Sequence, residues 1–428
     1  MHDFVNIVKK YKVVGGPFPK VNKKVLLLYS GGLDTSVMLK WLNEKLGYNV
    51  VALTLDVGQR ELNLDSVAEK ARNIGALDTI TMDVKHEFVD GYVSKSILSD
   101  GLYEESYPLS TSIARPLMAE KAVEVAHDYD CNAIAHGCTG KGNDQVRFET
   151  SIHSLDPSMD VLAPVREWNM NRDDEIEYAK EHGIPVPVGG KYSVDENLWG
   201  RSVEGSVLED PLVEPPEDAY FYVTPPWKCK DTIKEVKIGF EKGLPVKLNG
   251  QYLPLITIVN ELTKIAGENG YGAIDHIENR VTGIKSREFY ECPAALSILE
   301  ARKKLESLTL NDKELKLKKY IDDLWANNAY NGLWHDPIMN HLNKTEKSLN
   351  EFLSGEIILK FYKGNCIVTG AESPNSLYNY SLSTYGREQT FDQGSAAGFI
   401  KIFGMQTILS SNVRNGDSHK LRAIEEEA

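Results

Sequence analysis

The chain has 428 residues, of which 42% are hydrophobic and 26% are charged, and its formal net charge is −14. This composition is typical of a soluble globular protein, and the length predicts two domains with a C-terminal extension. The negative charge disfavours bulk binding to nucleic acid. The sequence contains no apolar run of about 18 residues, so no membrane helix is expected.

The cysteines and histidines form no pattern that binds a transition metal. The five cysteines are scattered without a Cys-x-x-Cys pair, and the ten histidines contain no His-x-x-x-His spacing. A disulfide framework or a zinc site is therefore not expected. The first twenty residues are too polar for a secretory signal. Together these features predict a cytoplasmic protein in a reducing compartment, with no metal ligand set of its own.

The first half of the chain alternates predicted strands and helices. The apolar run KKVLLLYS, residues 23–30, predicts a central parallel strand that is buried on both faces. Apolar residues at helical spacing follow it, and Gly47 is placed to end that helix. Strand and helix then alternate over residues 49–58, 64–76, 77–84, 115–130, 131–137 and 172–183. We expect Gly75 to end the second helix and Pro116 to lie near the start of a later one. The alternation predicts a doubly wound parallel sheet.

The second half mixes predicted hairpins and helices, as in an α+β domain. Hairpins are predicted at residues 235–254 and 356–370, and helices at 294–308, 312–332 and 396–411. The last helix is apolar and has little chain left to cover it, so packing on another subunit and packing on its own chain both remain open. The predicted divisions are an N-terminal extension at 1–22, an α/β domain at 23–188, an α+β domain at 189–385, and a C-terminal segment at 386–428.

A glycine loop follows the first strand, within LLLYSGGLDTS at residues 26–36. Strand, glycine turn and helix in that order place free backbone N–H groups at a helix N-terminus, which binds anions. The loop lacks the lysine of a Walker A motif. Asp34 is unusual here, because a carboxylate repels phosphate unless it faces a metal or caps the helix. The alternative is a plain strand–helix turn in which Asp34 or Thr35 is the N-cap.

A second polar loop lies within AIAHGCTGKGNDQVRFE, residues 133–149, at the end of another predicted strand. Ligands of open α/β sheets bind beyond such strand ends. Hydroxyl, ammonium, amide, carboxylate and guanidinium groups occur here within nine residues. That set suits a zwitterionic substrate that also carries a ureido or amide group.

The first loop resembles the pyrophosphate loop of the N-type ATP pyrophosphatases, whose fold is adenine nucleotide alpha hydrolase-like. In that superfamily the loop grips the β- and γ-phosphates as one leaving group and exposes the α-phosphate. After about residue 23 the chain contains the motifs YSGGLDTS, YPLSTSIARP, HGCTGKGNDQVRFE, YAKEHGIPVPV, YSVDENLWGRSVEGSVLEDP, IENRVTGIKSREFYECP and ESPNSLYN. In this combination of motifs it is similar to the argininosuccinate synthases.

This resemblance implies three sets of binding residues. The ATP set is Leu28, Tyr29, Ser30, Gly31, Gly32, Leu33, Asp34, Thr35, Ser36, Leu55 and Gly137. The citrulline set is Tyr107, Ser112, Asn143, Arg147, Ser193, Ser202, Glu278 and Tyr290. The aspartate set is Thr139, Asn143 and Asp144. Arg147 and the hydroxyls suit the carboxylate of citrulline, Glu278 suits its α-ammonium, and Asp144 suits the ammonium of aspartate. Leu55 is often alanine in relatives, which leaves the packing of adenine open.

The resemblance also implies a reaction. The ureido oxygen of citrulline attacks the α-phosphorus of ATP, and the amine of aspartate then displaces AMP from citrullyl-AMP. Mg²⁺ is expected with ATP, and Arg115 and Lys141 are hypothesised to stabilise phosphate charge. By the same resemblance, residues 23–188 are a nucleotide-binding domain, 189–385 a synthetase and multimerisation domain, and 386–428 an oligomerisation arm with a tail. The expected assembly is a homotetramer with a C-terminal arm. The alternatives are another adenylating enzyme, such as a tRNA-modifying one, or a non-enzymatic interaction protein on this fold. A Rossmann dehydrogenase is disfavoured because Gly-x-Gly-x-x-Gly is missing after the first strand.

Overall fold

The structure is a computed structural model that describes residues 23–60, 62–168, 170, 172–185 and 191–416. It divides into two compact units, Met1–Asn375 and Ser376–Ala428. Three predictions lie outside the described residues: the N-terminal extension, the domain boundary at 188–189 and the end of the tail. The division of the first unit into two domains therefore stays a prediction.

Five parallel strands form the first sheet, in the order β3-β2-β1-β4-β5. They are β1 (Lys24–Leu28), β2 (Asn49–Asp56), β3 (Asp78–Asp83), β4 (Ala133–Ala135) and β5 (Asp160–Leu162). The central strand β1 is buried over its last four residues because it has a strand on each side and helices on both faces. The predicted doubly wound parallel sheet is confirmed.

Helices connect these strands. They are α1 (Leu33–Glu44), α2 (Leu64–Ile74), α3 (Lys85–Phe88), α4 (Ser94–Leu98), α5 (Ala114–Asp128), α6 (Asp144–Leu155) and α7 (Arg172–Glu181), with a π turn at Val89–Val93 and a 3-10 turn at Pro164–Arg166. Gly75 ends α2 in the left-handed conformation, at a φ of 119°, as its sequence position predicts. Pro116 lies two residues after the start of α5, where the backbone N–H that it lacks would have had no helical partner.

The rest of the first unit holds two antiparallel sheets. One has the order β11-β12-β7-β6 and the other has the order β10-β9-β8-β13-β14. Their strands are β6 (Ser193–Asn197), β7 (Gly200–Glu204), β8 (Lys234–Glu241), β9 (Leu244–Leu248), β10 (Gln251–Tyr252), β11 (Ala273–Asn279), β12 (Lys285–Glu291), β13 (Gly355–Tyr362) and β14 (Asn365–Glu372). The hairpins predicted at 235–254 and 356–370 are confirmed. The four-stranded sheet was not predicted strand by strand.

Four longer helices accompany these sheets: α8 (Leu255–Glu268), α9 (Pro293–Thr309), α10 (Asp312–Tyr330) and α11 (Pro337–Leu349). Short 3-10 turns occur at Ser206–Glu209, Glu217–Ala219 and Pro226–Lys228. The predicted helices at 294–308 and 312–332 are confirmed. Helix α11 was missed, although Asp336 caps its N-terminus and Pro337 is its first residue, which is a recognisable start signal.

A buried ionic cluster joins α9, α10 and α11 to the end of α4. Lys318 is 1% exposed, and its Nζ lies 2.6 Å from Asp100 Oδ2 and 2.7 Å from Asp322 Oδ1. Glu306 and Glu346 complete its surroundings at 3.5 and 3.4 Å. Arg302, at 2.8 Å from Asp100, is the second cation. Four carboxyls therefore face two cations, and burial followed by the charge of Asp100 raises the pKa of Glu306 to about 8.

The second unit contains α12 (Tyr380–Ser383), α13 (Gly394–Phe403) and α14 (Met405–Arg414). One helix was predicted at 396–411, and the structure has two helices that meet at Gly404, a residue with low helix propensity. Their apolar side chains are largely exposed, as at Phe399, Ile402 and Phe403, which are 63%, 73% and 77% exposed. No helix in the described part of the chain combines the length and the apolar character needed to span a membrane.

Candidate active site

The two polar loops lie side by side at the carboxyl edge of the parallel sheet. Strands β1 and β4 are neighbours, and the direction of chain progression reverses between them. Such a switch point leaves a crevice beyond the strand ends where ligands bind. The loops approach closely here, since a Cβ on Gly137 would lie 3.3 Å from Thr35 Cγ2. A larger residue at 137 would therefore push the two loops apart.

The first loop presents the uncapped N-terminus of α1. Gly32 is the N-cap residue and has no side chain to accept from the first N–H groups of the helix. The alternative in which Asp34 or Thr35 caps this helix is therefore wrong. Hydrogen bonds between Ser30 Oγ and Thr35 Oγ1 at 3.1 Å, and between the Tyr29 and Ser36 hydroxyls at 3.0 Å, fix the loop from within. Free N–H groups and a helix dipole make this end an anion site.

Gly31 meets two requirements that only glycine satisfies. Its φ is +78°, in the left-handed region. A Cβ at this position would also lie 3.1 Å from Val67 Cγ2 on α2. The second helix therefore packs directly against the loop.

Asp34 lies beside Glu175 of α7. Burial, and then the charge of Asp34, raise the pKa of Glu175 to about 8, so that near neutral pH it mostly retains its proton. Glu175 therefore adds little negative charge next to the anion site. The carboxylate of Asp34 suits Mg²⁺, which binds through one or two carboxylates together with substrate phosphates and water.

A cavity of about 760 Å³ extends from the first loop across the ends of β1 and β2. Nine of the eleven residues in the predicted ATP set line it: Leu28, Tyr29, Ser30, Gly32, Leu33, Asp34, Thr35, Leu55 and Gly137. Gly31 and Ser36 do not line it, because Gly31 faces α2 and Ser36 is fully buried. We refer to this space as the nucleotide cavity. Leucines at the ends of β1 and β2 give it an apolar floor.

A second cavity, of about 340 Å³, adjoins the first. It is lined by nine of the ten residues that the sequence predicted for the two amino acids: Tyr107, Thr139, Asn143, Asp144, Arg147, Ser193, Ser202, Glu278 and Tyr290. Ser112 does not line it, and its buried Oγ has no hydrogen-bond partner. Thr111 lines the wall instead. We refer to this space as the amino-acid cavity.

Glu278 is held by tyrosine hydroxyls at the closed end of the amino-acid cavity. It is 2% exposed and accepts from Tyr290 through Oε2 and from Tyr330 through Oε1, each at 2.6 Å. Burial, followed by nearby charges that include Glu278, raises the pKa values of both tyrosines, so they remain neutral donors. Sequence reasoning missed Tyr330, which lies at the end of α10 and also accepts from Asn143 Nδ2 at 2.8 Å.

Four charged side chains alternate in sign along the wall of the amino-acid cavity. Arg147 Nη1 and Arg115 Nε donate to the two oxygens of Asp144 at 2.8 and 2.9 Å, and Arg115 also pairs with Asp195 of β6. Burial alone would raise the pKa of Asp144, but the charges of Arg115 and Arg147 hold it well below its usual range. The Arg147 guanidinium lies 4.8 Å from the centre of the Tyr330 ring, and its buried Nη2 has no hydrogen-bond partner, which leaves one donor for an anion. Asp195 was not among the predicted site residues.

Several residues line both cavities, which makes them a common wall. They are Asp34, Arg115, Gly137, Cys138, Asp144, Val194 and Asp195. Arg115 is therefore located where a nucleotide and an amino acid would meet. The Lys141 side chain, by contrast, is exposed and lines neither cavity, so its hypothesised role on phosphate lacks support from its position.

The turn between β11 and β12 is hydrogen-bonded to the second loop. Val281 N donates to Asn143 Oδ1 at 2.9 Å. Thr282 Oγ1 and Arg280 Nη1 donate to the Lys141 carbonyl at 3.2 and 3.3 Å. The amino-acid cavity is thus closed by residues far away in sequence, which no local pattern predicts.

Comparison with known proteins agrees with this geometry. The arginosuccinate synthase N-terminal HUP domain model matches residues 24–185, and the C-terminal domain model matches residues 192–410. An argininosuccinate synthase of Picrophilus torridus is 55% identical over 392 residues, which are 92% of this chain and 98% of that protein. Argininosuccinate synthases of Pyrococcus furiosus and Geobacillus thermodenitrificans are 49% and 48% identical, each over 92% of this chain and over 95% and 97% of their own lengths. The chain therefore belongs to the argininosuccinate synthase family.

Proposed function

We propose that one ligation takes place across the two cavities in two steps. In the first step citrulline is adenylated, and in the second step aspartate displaces AMP. As a family member the chain is a ligase of arginine biosynthesis that uses ATP as a substrate. The residue roles below are our assignments. They are supported by the common wall, which gives a nucleotide and an amino acid a shared boundary.

In the first step the ureido oxygen of citrulline bonds to the α-phosphorus, and the bond from that phosphorus to the departing pyrophosphate breaks. The uncapped N-terminus of α1 suits the β- and γ-phosphates, because its N–H groups and dipole stabilise negative charge. Arg115, in the common wall, suits the charge on the α-phosphate. Its own position is fixed by Asp144 and Asp195, which reduces the reorganisation that the reaction requires.

Citrulline is assigned to the amino-acid cavity with its α-ammonium on Glu278 and its carboxylate near Arg147. The unpartnered Nη2 of Arg147 supports this orientation, since a substrate carboxylate would satisfy it. Tyr107, Ser193 and Ser202 line the same cavity and offer hydroxyl groups. This arrangement leaves the ureido end free to meet the nucleotide.

Aspartate is assigned to Thr139, Asn143 and Asp144, at the side of the cavity formed by the second loop. In the second step the α-ammonium first gives up a proton, for which the phosphate oxygens of pyrophosphate or AMP are the candidate acceptors. The amine nitrogen then bonds to the former ureido carbon, and the bond from that carbon to the AMP oxygen breaks, so that AMP leaves with the bonding electrons. This role is compatible with the two arginine contacts of Asp144, because a carboxylate has about four acceptor sites. The chemistry depends on holding the reactants in place rather than on a side-chain nucleophile.

Mg²⁺ is assigned to the nucleotide, and Asp34 is the protein carboxylate proposed to hold it, because Asp34 lies in the first turn of α1 and lines the nucleotide cavity. When bound, it would neutralise phosphate charge. The Asp34–Glu175 pair supports the assignment, because a second carboxyl that retains its proton limits the repulsion of ATP.

An omission assay tests the proposed function. AMP and pyrophosphate release is measured with citrulline, aspartate and ATP, and then with each omitted in turn. We expect multiple turnovers, with equal amounts of AMP and pyrophosphate released and argininosuccinate as the product, only in the complete mixture. Release that depends on a tRNA instead of citrulline would favour another adenylating enzyme, and no release under any condition would favour an interaction protein on this fold.

We also propose that the chain is a cytoplasmic homotetramer in which the helices of the second unit contact other copies. The exposed apolar faces of α13 and α14 support this, since contiguous apolar surface of this kind usually marks an interface. Light scattering after size-exclusion chromatography tests it. We expect four copies in the full chain, and smaller species for a double variant, Phe399→Ser with Phe403→Ser.

A further inference from the structure

The phosphate-binding loop lacks a lysine in its own sequence, but the next helix supplies one. Lys70 of α2 donates from Nζ to the Gly31 carbonyl at 2.7 Å, across 39 residues of sequence. The side chain is half-buried, and burial lowers its pKa. Within the described residues no carboxylate lies within 4.0 Å of this ammonium group. The loop carbonyl is therefore the partner that accounts for its position.

This hydrogen bond determines which way one peptide group faces. A peptide is planar and trans, so its C=O and N–H point in opposite directions. The Gly31 carbonyl points towards α2, and the N–H of the same peptide, on Gly32, consequently points away from α2. Gly32 lines the nucleotide cavity, whereas Gly31 does not. In the structure this N–H has a long hydrogen bond of 3.3 Å to Ser30 Oγ, which also lines the cavity.

The peptide needs such a restraint because glycines flank it on both sides. Glycine occupies positive and negative φ with similar ease, so the Gly31–Gly32 peptide can rotate at little steric cost. The rotated form would turn a carbonyl oxygen towards the phosphates, where it would repel them. Val67, which is on the same face of α2 as Lys70, packs against Gly31 and keeps the helix close.

We propose that Lys70 is a positioning residue for the departing pyrophosphate: its ammonium holds the Gly31–Gly32 peptide with the Gly32 N–H facing the terminal phosphates of ATP. This inference rests on the proposed function of the loop. It assigns to α2 part of the task that a Walker lysine performs within its own loop, but through the backbone instead of through direct contact with phosphate.

Calorimetric binding of magnesium pyrophosphate and of AMP to the full-length protein tests the proposal without turnover. We expect Lys70→Met to weaken pyrophosphate binding by about tenfold or more, from the loss of a charge-assisted hydrogen bond, and to leave AMP binding within about twofold. Lys70→Arg, which keeps a charged donor, should restore most of the affinity. Lys40→Met on α1 is the matched control, because Lys40 pairs with Glu44 instead of the loop.

Thermal melting checks that each variant is folded, and Lys70→Leu provides a second variant without a hydrogen-bond donor. Wild-type pyrophosphate affinity in the folded Lys70→Met or Lys70→Leu variant would overturn the proposal. Equal losses of pyrophosphate and AMP binding would also overturn it, because they would indicate a general structural role. A wild-type protein that binds AMP but not pyrophosphate would instead refute the proposed function of the loop itself.

Discussion

Replacing Glu278 by Gln tests how the amino-acid cavity selects citrulline. The substitution keeps the size of the side chain and removes its charge. Glu278 is almost fully buried, and two tyrosine hydroxyls donate to its two oxygens at 2.6 Å. A glutamine amide has only one oxygen, so either Tyr290 or Tyr330 loses its acceptor. The variant therefore weakens both the site for the α-ammonium and the support behind it.

The size of the effect follows from the bond that is lost. A hydrogen bond to a charged group contributes about 1.5–3 kcal/mol, and each 1.4 kcal/mol is a factor of ten. We expect kcat/KM for citrulline to fall by roughly 10- to 150-fold, mainly through KM. KM for ATP should change little, because Glu278 does not line the nucleotide cavity.

The decisive assay compares citrulline with 5-ureidopentanoate, which has the same ureido and carboxylate groups but no α-ammonium. Wild-type enzyme should strongly prefer citrulline, and Glu278→Gln should lose most of that preference. Glu261→Gln, at an exposed position on α8, is the control and should behave as wild type. An equal loss with both substrates, or an unchanged KM for citrulline, would refute the assignment of the α-ammonium to Glu278.

Three further predictions concern the loop and the ionic cluster. Asp34→Ala should abolish citrulline-dependent ATP–pyrophosphate exchange, and wild-type exchange would contradict its role at the nucleotide. Lys318→Met should lower the free energy of unfolding by about 3–5 kcal/mol, because it leaves four carboxyls facing Arg302 alone. Lys316→Met is the control in the same denaturation experiment, and it should change the free energy of unfolding little because Lys316 is exposed. The pKa of Glu306 is raised from 4.5 to about 8, so the folded state retains a proton that the unfolded state releases. Its contribution to stability should therefore decrease as pH rises from about 4.5 to 8. The free energy of unfolding of the wild type minus that of Glu306→Gln, measured across this pH range, should show the decrease.

Sequence patterns predicted the parts of the fold that depend on local signals. The apolar run of β1, the stop at Gly75 and the hairpins of the second half all follow from the side chains of a few consecutive residues. Helix α11 carried a start signal that was overlooked. The break at Gly404 is less predictable, because a single glycine inside an apolar helical pattern is often tolerated.

The site was predictable only as far as its residues occur in contiguous motifs. The two loops were found in this way, and the structure brings most of their residues to the cavities. Tyr330 donates to Glu278, which is 52 positions away, and Lys70 donates to Gly31, which is 39 positions away. Asp195 pairs with Arg115 across 80 positions. No periodicity or spacing encodes such contacts, since they arise from tertiary packing.

The common wall also limits what can happen to a reactive intermediate. In enzymes with two separate centres, an activated compound must travel between them, and water can destroy it on the way. Here Arg115, which is assigned to the α-phosphate, and Asp144, which is assigned to aspartate, both line the two cavities. Citrullyl-AMP would therefore form and be consumed without changing place. The lifetime of this ester would then depend on how quickly aspartate fills its part of the cavity.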